Sequence, residues 1–183
     1  MSTTAGAHRW LASALTAALL LGVPAGAFEL TGLGQPATPA EIDAWHLDVS
    51  PSGEGLPAGR GTTKDGAKIF AAKCAGCHGS TGKEGPAPRL VGGIGSLAST
   101  NPVKTVGSYW PYATTLFDYV RRAMPFNAPQ SLTNDEVYAL SAWILAENGI
   151  VKKDAVMDAT TLPAVVMPNR NGFMPDPRPD VGH

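Results

Sequence analysis

The sequence contains very few cysteines, with only two among its 183 residues. They lie three positions apart, as Cys74 and Cys77, and both belong to one short motif. No framework of disulfide bonds can therefore be proposed. The sequence also has no internal repeat, and its length suits one domain of ordinary size.

An excess of basic residues is also missing. The chain has 14 Lys and Arg against 15 Asp and Glu, and without Arg9, which lies in a predicted leader, 13 basic residues face 15 acidic ones. Proteins that bind nucleic acid usually show a strong basic excess. We therefore predict no nucleic-acid partner.

The familiar patterns of hydrolytic and phosphate-binding sites are missing as well. The sequence has no G-x-S-x-G, no H-E-x-x-H, no phosphate-binding loop and no second C-x-x-C. Asp135 and Glu136 are adjacent carboxylates, but a role in capping a helix explains both. We assign no catalytic residues.

No hydrophobic run is long enough for a membrane span. The apolar run Trp10–Val23 is shorter than the roughly 20 residues that a spanning helix needs. It follows the basic His8-Arg9 and precedes Ala25-Gly26-Ala27, which is the pattern of a secretory signal peptide over residues 1–27. We expect export to the periplasm and no stable membrane span after cleavage, with an uncleaved anchor as the alternative.

The most informative feature that is present is the run Cys74-Ala75-Gly76-Cys77-His78. Two cysteines on one turn can each form a thioether with a vinyl group of haem, and the next residue then places an imidazole beneath the iron. The single motif predicts one covalently attached haem c, bound through Cys74 and Cys77, with His78 as the proximal iron ligand.

Two other interpretations of C-x-x-C compete with haem attachment. A redox dithiol of the thioredoxin type requires a βαβ context, whereas the motif here follows a helix-like segment, residues 66–73. A zinc site requires two further ligands at compatible spacing. The remaining histidines, His8, His46 and His183, are scattered along the chain.

Helical patterns are concentrated between Thr62 and Gly149 and strand signals are almost absent, so we predict a mostly α fold. Residues 62–150 form the predicted haem domain. The flanks, 28–61 and 151–183, are rich in Pro and Gly and are predicted to be extended N- and C-terminal arms. Solvated linkers are the alternative, but apolar residues favour arms that pack over the domain: Phe28, Leu30, Ile42, Trp45, Leu47, Val165, Val166, Met167 and Phe173.

Three helices are predicted in the haem domain. The first spans about 63–74, and the second spans about 115–123, where apolar side chains recur at helical spacing. The third opens at Thr133, because Thr133 and Glu136 form the pattern of a capping box. Asn148-Gly149 provides its stop signal.

The second iron ligand decides what the haem can do, because a haem with one protein ligand binds small molecules and a haem with two suits electron transfer. Met124 precedes Pro125, which disfavours helical geometry at Met124 and lets a loop carry its thioether towards the iron. Met167 and Met174 also lie beside prolines and remain alternatives, as does an open site. Met124 could instead be an apolar filler.

The order helix, C-x-x-C-H, loop, helix, Met-Pro, helix resembles that of a class I cytochrome c. This resemblance implies that Met124 is the distal iron ligand. It also implies that the first and last helices cross through small and aromatic side chains. The matching positions are Gly66 and Phe70 on one helix, with Leu140 and Trp143 on the other.

The resemblance also extends to a Pro-x-Leu element after the haem motif, which Pro88-Arg89-Leu90 matches. It implies that the Pro88 carbonyl accepts a hydrogen bond from Nδ1–H of His78. Such a bond would fix the tautomer of the imidazole and raise its basicity.

A narrower resemblance covers nearly the whole chain after the leader. It is to the cytochrome subunit of bacterial sulfite and sulfur dehydrogenases, in which a molybdenum subunit oxidises the sulfur centre. In the thiosulfate-oxidising complex this cytochrome is longer and typically carries two haems, whereas this chain has one motif. The segments that carry the resemblance are 34–45, 48–57, 109–113, 169–173 and 175–180.

The implied function is electron transfer by a periplasmic mono-haem cytochrome. We expect it to accept electrons from a molybdenum sulfite or sulfur dehydrogenase subunit and to pass them to the respiratory chain. A freely diffusing carrier for another periplasmic dehydrogenase is the first alternative. A haem enzyme or small-molecule binder with an open site is the second.

Overall fold

A computed structural model describes residues 34–178. The predicted signal peptide, Phe28, Leu30 and the last five residues of the C-terminal arm lie outside the described residues. The chain divides into two compact units, Met1–Ile42 and Asp43–His183. The second unit contains the predicted haem domain.

Six helices and two short strands occur among residues 34–178, so the predicted mostly α fold is confirmed. The strands are β1 (Arg60–Thr62) and β2 (Val156–Asp158). The helices are α1 (Pro39–Trp45), α2 (Thr63–Lys73), α3 (Ala75–His78), α4 (Val106–Tyr109), α5 (Ala113–Ala123) and α6 (Asn134–Glu147).

Helix α6 is the centre of the fold, and every residue from Val137 to Ala146 is buried. Its predicted capping box is confirmed. The Thr133 hydroxyl accepts from the Glu136 backbone N–H at 3.2 Å, and the Glu136 carboxylate accepts from the Thr133 N–H at 2.9 Å. Two of the exposed N–H groups at the helix start are thereby satisfied.

Helices α2 and α6 cross at very short range. A Cβ atom added to Gly66 would overlap the Ala139 carbonyl oxygen and would lie 2.7 Å from the Trp143 Cβ. One turn later, the rings of Phe70 and Trp143 stack with their centroids 3.9 Å apart. The predicted crossing is therefore present, and the atoms closest to Gly66 belong to Ala139 and Trp143, where the resemblance implied Leu140 and Trp143.

The two arms contribute to this core. Strand β1 pairs antiparallel with β2, which brings Gly61 opposite Met157. Met157, Leu162 and Met167, all from the predicted C-terminal arm, are buried in the main hydrophobic cluster. Regular structure thus occurs in both predicted arms.

The apolar residues of the arms are not all buried, contrary to the sequence-based expectation. Trp45 is 86% exposed, Val166 is 78% exposed and Phe173 is 51% exposed. Val165 packs against the core and Met167 lies inside it, so the side chains alternate along this extended segment and only every second one faces inward.

None of the helices in the described part of the chain is long and apolar enough to cross a membrane.

Gly66→Ala provides a test of the helix crossing. Helix propensity alone would stabilise the protein by about 0.5–1 kcal/mol. Because the new methyl group would overlap the Ala139 carbonyl, we instead expect a net loss of about 1–3 kcal/mol. The measurement is chemical unfolding followed by circular dichroism. Ala72→Ser, which adds one atom on the exposed side of α2, is the matched control, and an unfolding free energy that rises in Gly66→Ala would contradict the crossing.

Glu136→Gln tests the ion pair between α2 and α6. A hydrogen bond from Lys73 at 2.6 Å, then one from the Thr133 backbone, lowers the pKa of Glu136 below its ordinary value of 4.5. The carboxylate therefore stabilises the fold above pH 4.5, and this contribution is lost as the pH falls through the lowered pKa. We expect Glu136→Gln to cost up to about 1 kcal/mol at pH 7, since Lys73 is partly exposed.

Unfolding curves of this variant at pH 7 and in acid supply the measurement. The difference from the unaltered protein should vanish in acid, below the lowered pKa of Glu136. Glu54→Gln removes the same charge from an exposed side chain that makes no ion pair among the described residues, and it serves as the control. A stability difference that stays constant with pH would mean that the charge of Glu136 does not stabilise the fold.

Candidate haem site

The two cysteines are held on a single helical turn. Cys74 is the cap residue between α2 and α3, and its N–H donates to the Phe70 carbonyl at 2.9 Å. The N–H groups of Cys77 and His78 both donate to the Cys74 carbonyl, at 3.1 and 3.0 Å. This turn therefore fixes the backbone of all three motif residues relative to α2.

The two thiols lie in different environments. Cys74 is half-buried against the core, while Cys77 is exposed. Burial raises the pKa of the Cys74 thiol to about 11, although Lys73 acts in the opposite direction. An apolar setting that disfavours a thiolate is well suited to an uncharged sulfur, which is what a thioether would provide.

The imidazole of His78 is oriented by the backbone. Its Nδ1 lies 2.9 Å from the Pro88 carbonyl oxygen, so the hydrogen bond predicted from the sequence is present. Because a carbonyl oxygen can only accept, Nδ1 carries the proton, and in the neutral imidazole Nε2 is then the nitrogen with the free lone pair. This tautomer is the one that can bind a metal through Nε2.

The loop between His78 and Pro88 folds back onto the motif. The Ala87 N–H donates to the Cys77 carbonyl at 2.9 Å. Gly85 approaches that same carbonyl so closely that an added Cβ would overlap it. The position of Pro88 is thereby tied to the motif whose histidine it orients.

Asn148, which was predicted only to end a helix, also holds this loop in place. The Asn148 side chain, at the end of α6, donates to the Leu90 carbonyl at 3.2 Å and accepts from the Gly92 N–H at 2.9 Å. The Asn-Gly stop signal fully explained Asn148, so nothing local in the sequence pointed to this second role.

Met124 is the first residue after α5 and has extended backbone angles, φ −117° and ψ 149°. Its side chain is half-buried and packs against the same core cluster as Cys74 and Leu90. The alternative methionines lie in other settings: Met167 is 1% exposed inside the core, and Met174 is 89% exposed. Of these three, Met124 alone is half-buried.

The donor set fits a haem c better than it fits a bare metal ion. It offers two thiols one turn apart, an imidazole with a free Nε2 and a half-buried thioether. Within the described residues, no group of three or more His, Cys, Asp or Glu side chains is arranged to hold a metal ion.

Comparisons with known proteins agree with this chemistry. The family model described as cytochrome c matches residues 63–147. Among solved structures, the chain is similar to a chain of the crystal structure of the sulfane dehydrogenase SoxCD from Paracoccus pantotrophus. The two are 47% identical with a TM-score of 0.77, and the match covers 81% of this chain and 73% of that chain. No curated protein matches.

These findings decide between the interpretations of the C-x-x-C-H motif, since neither a redox dithiol nor a zinc site is compatible with this family. The helical fold, the crossing of α2 with α6 and the oriented imidazole of His78 all agree with the family. The chain belongs to the class I c-type cytochromes, electron-transfer proteins with covalently bound haem c, and it resembles the cytochrome of a sulfur dehydrogenase.

Proposed function

We propose that this cytochrome accepts electrons in the periplasm from the molybdenum subunit of a sulfite or sulfur dehydrogenase and passes them to the respiratory chain. The observation that carries this proposal is the 47% identity to a chain of a sulfane dehydrogenase. That match covers 81% of the chain, whereas the general cytochrome c family model covers only residues 63–147. The likeness therefore includes much of the arms, which cytochromes in general do not share.

Four residues hold the haem in this proposal. Cys74 and Cys77 would form the two thioethers, and His78, through Nε2, and Met124 would be the two protein ligands of the iron. When bound, the haem takes up and releases single electrons. The Pro88 carbonyl raises the basicity of His78 by accepting the Nδ1 proton.

Two protein ligands would leave no open position on the iron, and this is why we assign electron transfer. A closed site changes little in geometry between oxidation states, whereas an open site would bind small molecules. The apolar surroundings of Cys74 and Met124 favour the less charged state of the cofactor and hence a positive potential.

Met124→Leu tests the distal ligand. It keeps the size and apolar character of the side chain but removes the sulfur, so we expect the weak far-red absorption of a methionine–ferric bond to disappear. The reduction potential should fall, and the ferrous protein should then bind carbon monoxide. Met174→Leu, at an exposed position, should leave all three properties unchanged. A far-red band that survives in Met124→Leu would transfer the assignment to Met167 or to another methionine.

The proposed electron donor can be tested by purification from the native host. We expect a larger molybdenum-containing subunit to copurify and the mature chain to begin near Phe28, as mass spectrometry would show. Sulfite or a sulfane-sulfur donor should reduce the haem only when that subunit is present, as measured by the absorbance of the reduced haem. A cytochrome that elutes alone and is reduced by a different dehydrogenase would favour the diffusing carrier.

A further inference from the structure

Residues 48–57 form a strap that lies against α5 and α6. Val49 and Leu56 pack against the hydrophobic core, which anchors the strap towards both of its ends. The Tyr138 hydroxyl on α6 donates to the Pro57 carbonyl at 2.8 Å. The strap lies outside residues 63–147, so it is an addition to the general cytochrome c fold.

The strap is joined to the last turns of α5 through charged groups. Nη2 of Arg122 lies 2.8 Å from Oδ1 of Asp48 and 2.7 Å from Oδ1 of Asp118. The same Asp118 oxygen accepts from the Val49 N–H at 3.2 Å. One guanidinium thus connects a carboxylate of the strap with a carboxylate of the helix.

This connection lies next to the proposed distal ligand. Met124 comes two residues after Arg122, and its N–H donates to the Val120 carbonyl at 3.1 Å. The inner side of this end of α5 is fixed by the buried side chains of Phe117 and Val120. Its outer side is fixed by the strap.

The chain after Met124 provides no comparable restraint. Residues 126–131 are exposed, and Phe126 is 85% exposed. The hydrogen bonds described for this loop are internal: Ala128 N–H to the Pro125 carbonyl at 2.9 Å, and the Ser131 hydroxyl to the Ala128 carbonyl at 2.7 Å. The position of Met124 therefore depends on the helix that precedes it.

We propose that the strap positions the distal ligand, with Asp48, Arg122 and Asp118 acting as positioning residues that keep the thioether of Met124 on the iron. The inference rests on the proposed role of Met124. Loss of the Asp48–Arg122 contact leaves the haem in place but frees the outer side of the last turn of α5. The Met124–iron bond then opens more readily.

Competition by imidazole measures how readily the Met124–iron bond opens, because imidazole displaces a distal methionine from ferric iron and abolishes the far-red band. An exposed ion pair changes an equilibrium constant by up to about fivefold. We therefore expect Asp48→Ala to bind imidazole about two- to fivefold more tightly. Asp118→Ala also removes the acceptor of the Val49 N–H. The affinity of this variant for imidazole should therefore rise further, by about tenfold. Glu54→Ala removes a carboxylate from the same strap that has no partner among the described residues, and its affinity should not change.

A double-mutant cycle separates positioning from a general loss of stability. In an Arg122→Ala background, Asp48→Ala should have no further effect on imidazole affinity, because its partner is already gone. Arg122→Lys, which keeps the charge, should recover part of the original affinity. Chemical unfolding followed by circular dichroism reports global stability separately.

The outcomes distinguish this inference from the proposed function. If Met124→Leu abolishes the far-red band but Asp48→Ala and Asp118→Ala bind imidazole as the unaltered protein does, the strap has no positioning role. The same conclusion follows if the two alanine variants lose global stability without a change in imidazole affinity. If Met124→Leu retains the band, the ligand assignment itself is wrong.

Discussion

The contact between α2 and α6 is the constraint on which the rest of the structure depends. Gly66 lets the backbones of the two helices approach at Ala139, and the stacked rings of Phe70 and Trp143 extend that contact by one turn. The haem motif begins at Cys74, the residue that caps the end of α2. Its orientation is therefore set by how α2 lies on α6, and no separate device is needed to place the cysteines.

The end of α6 supports the site from the opposite direction. Asn148 holds the backbone at Leu90 and Gly92, just beyond the carbonyl of Pro88 that orients His78. The middle of one buried helix thus positions the thiols, and its end positions the loop that orients the imidazole. The single helix α6 therefore supports both the haem motif and the loop that orients the His78 imidazole.

Features that depend on local sequence signals could be predicted, and the family resemblance supplied the crossing of α2 with α6, but the pairing of the strands could not be predicted. The capping box at Thr133 and the stop at Asn148 each follow from a short pattern, whereas the bond between His78 and Pro88 was implied by the family resemblance. The pairing of β1 with β2 joins segments almost a hundred residues apart through three residues each, too short for a periodic signal.

The predicted arms therefore belong to the fold as well as to any partner interface. The C-terminal arm supplies Met157, Leu162 and Met167 to the core, and β2 pairs with the strand that leads into α2. Removing the whole arm would expose that core and disturb the helix that carries the haem motif. A role in docking has to be sought at side chains that the fold leaves outside, such as Val166 and Met174, because only these can change a partner's affinity without changing the haem domain.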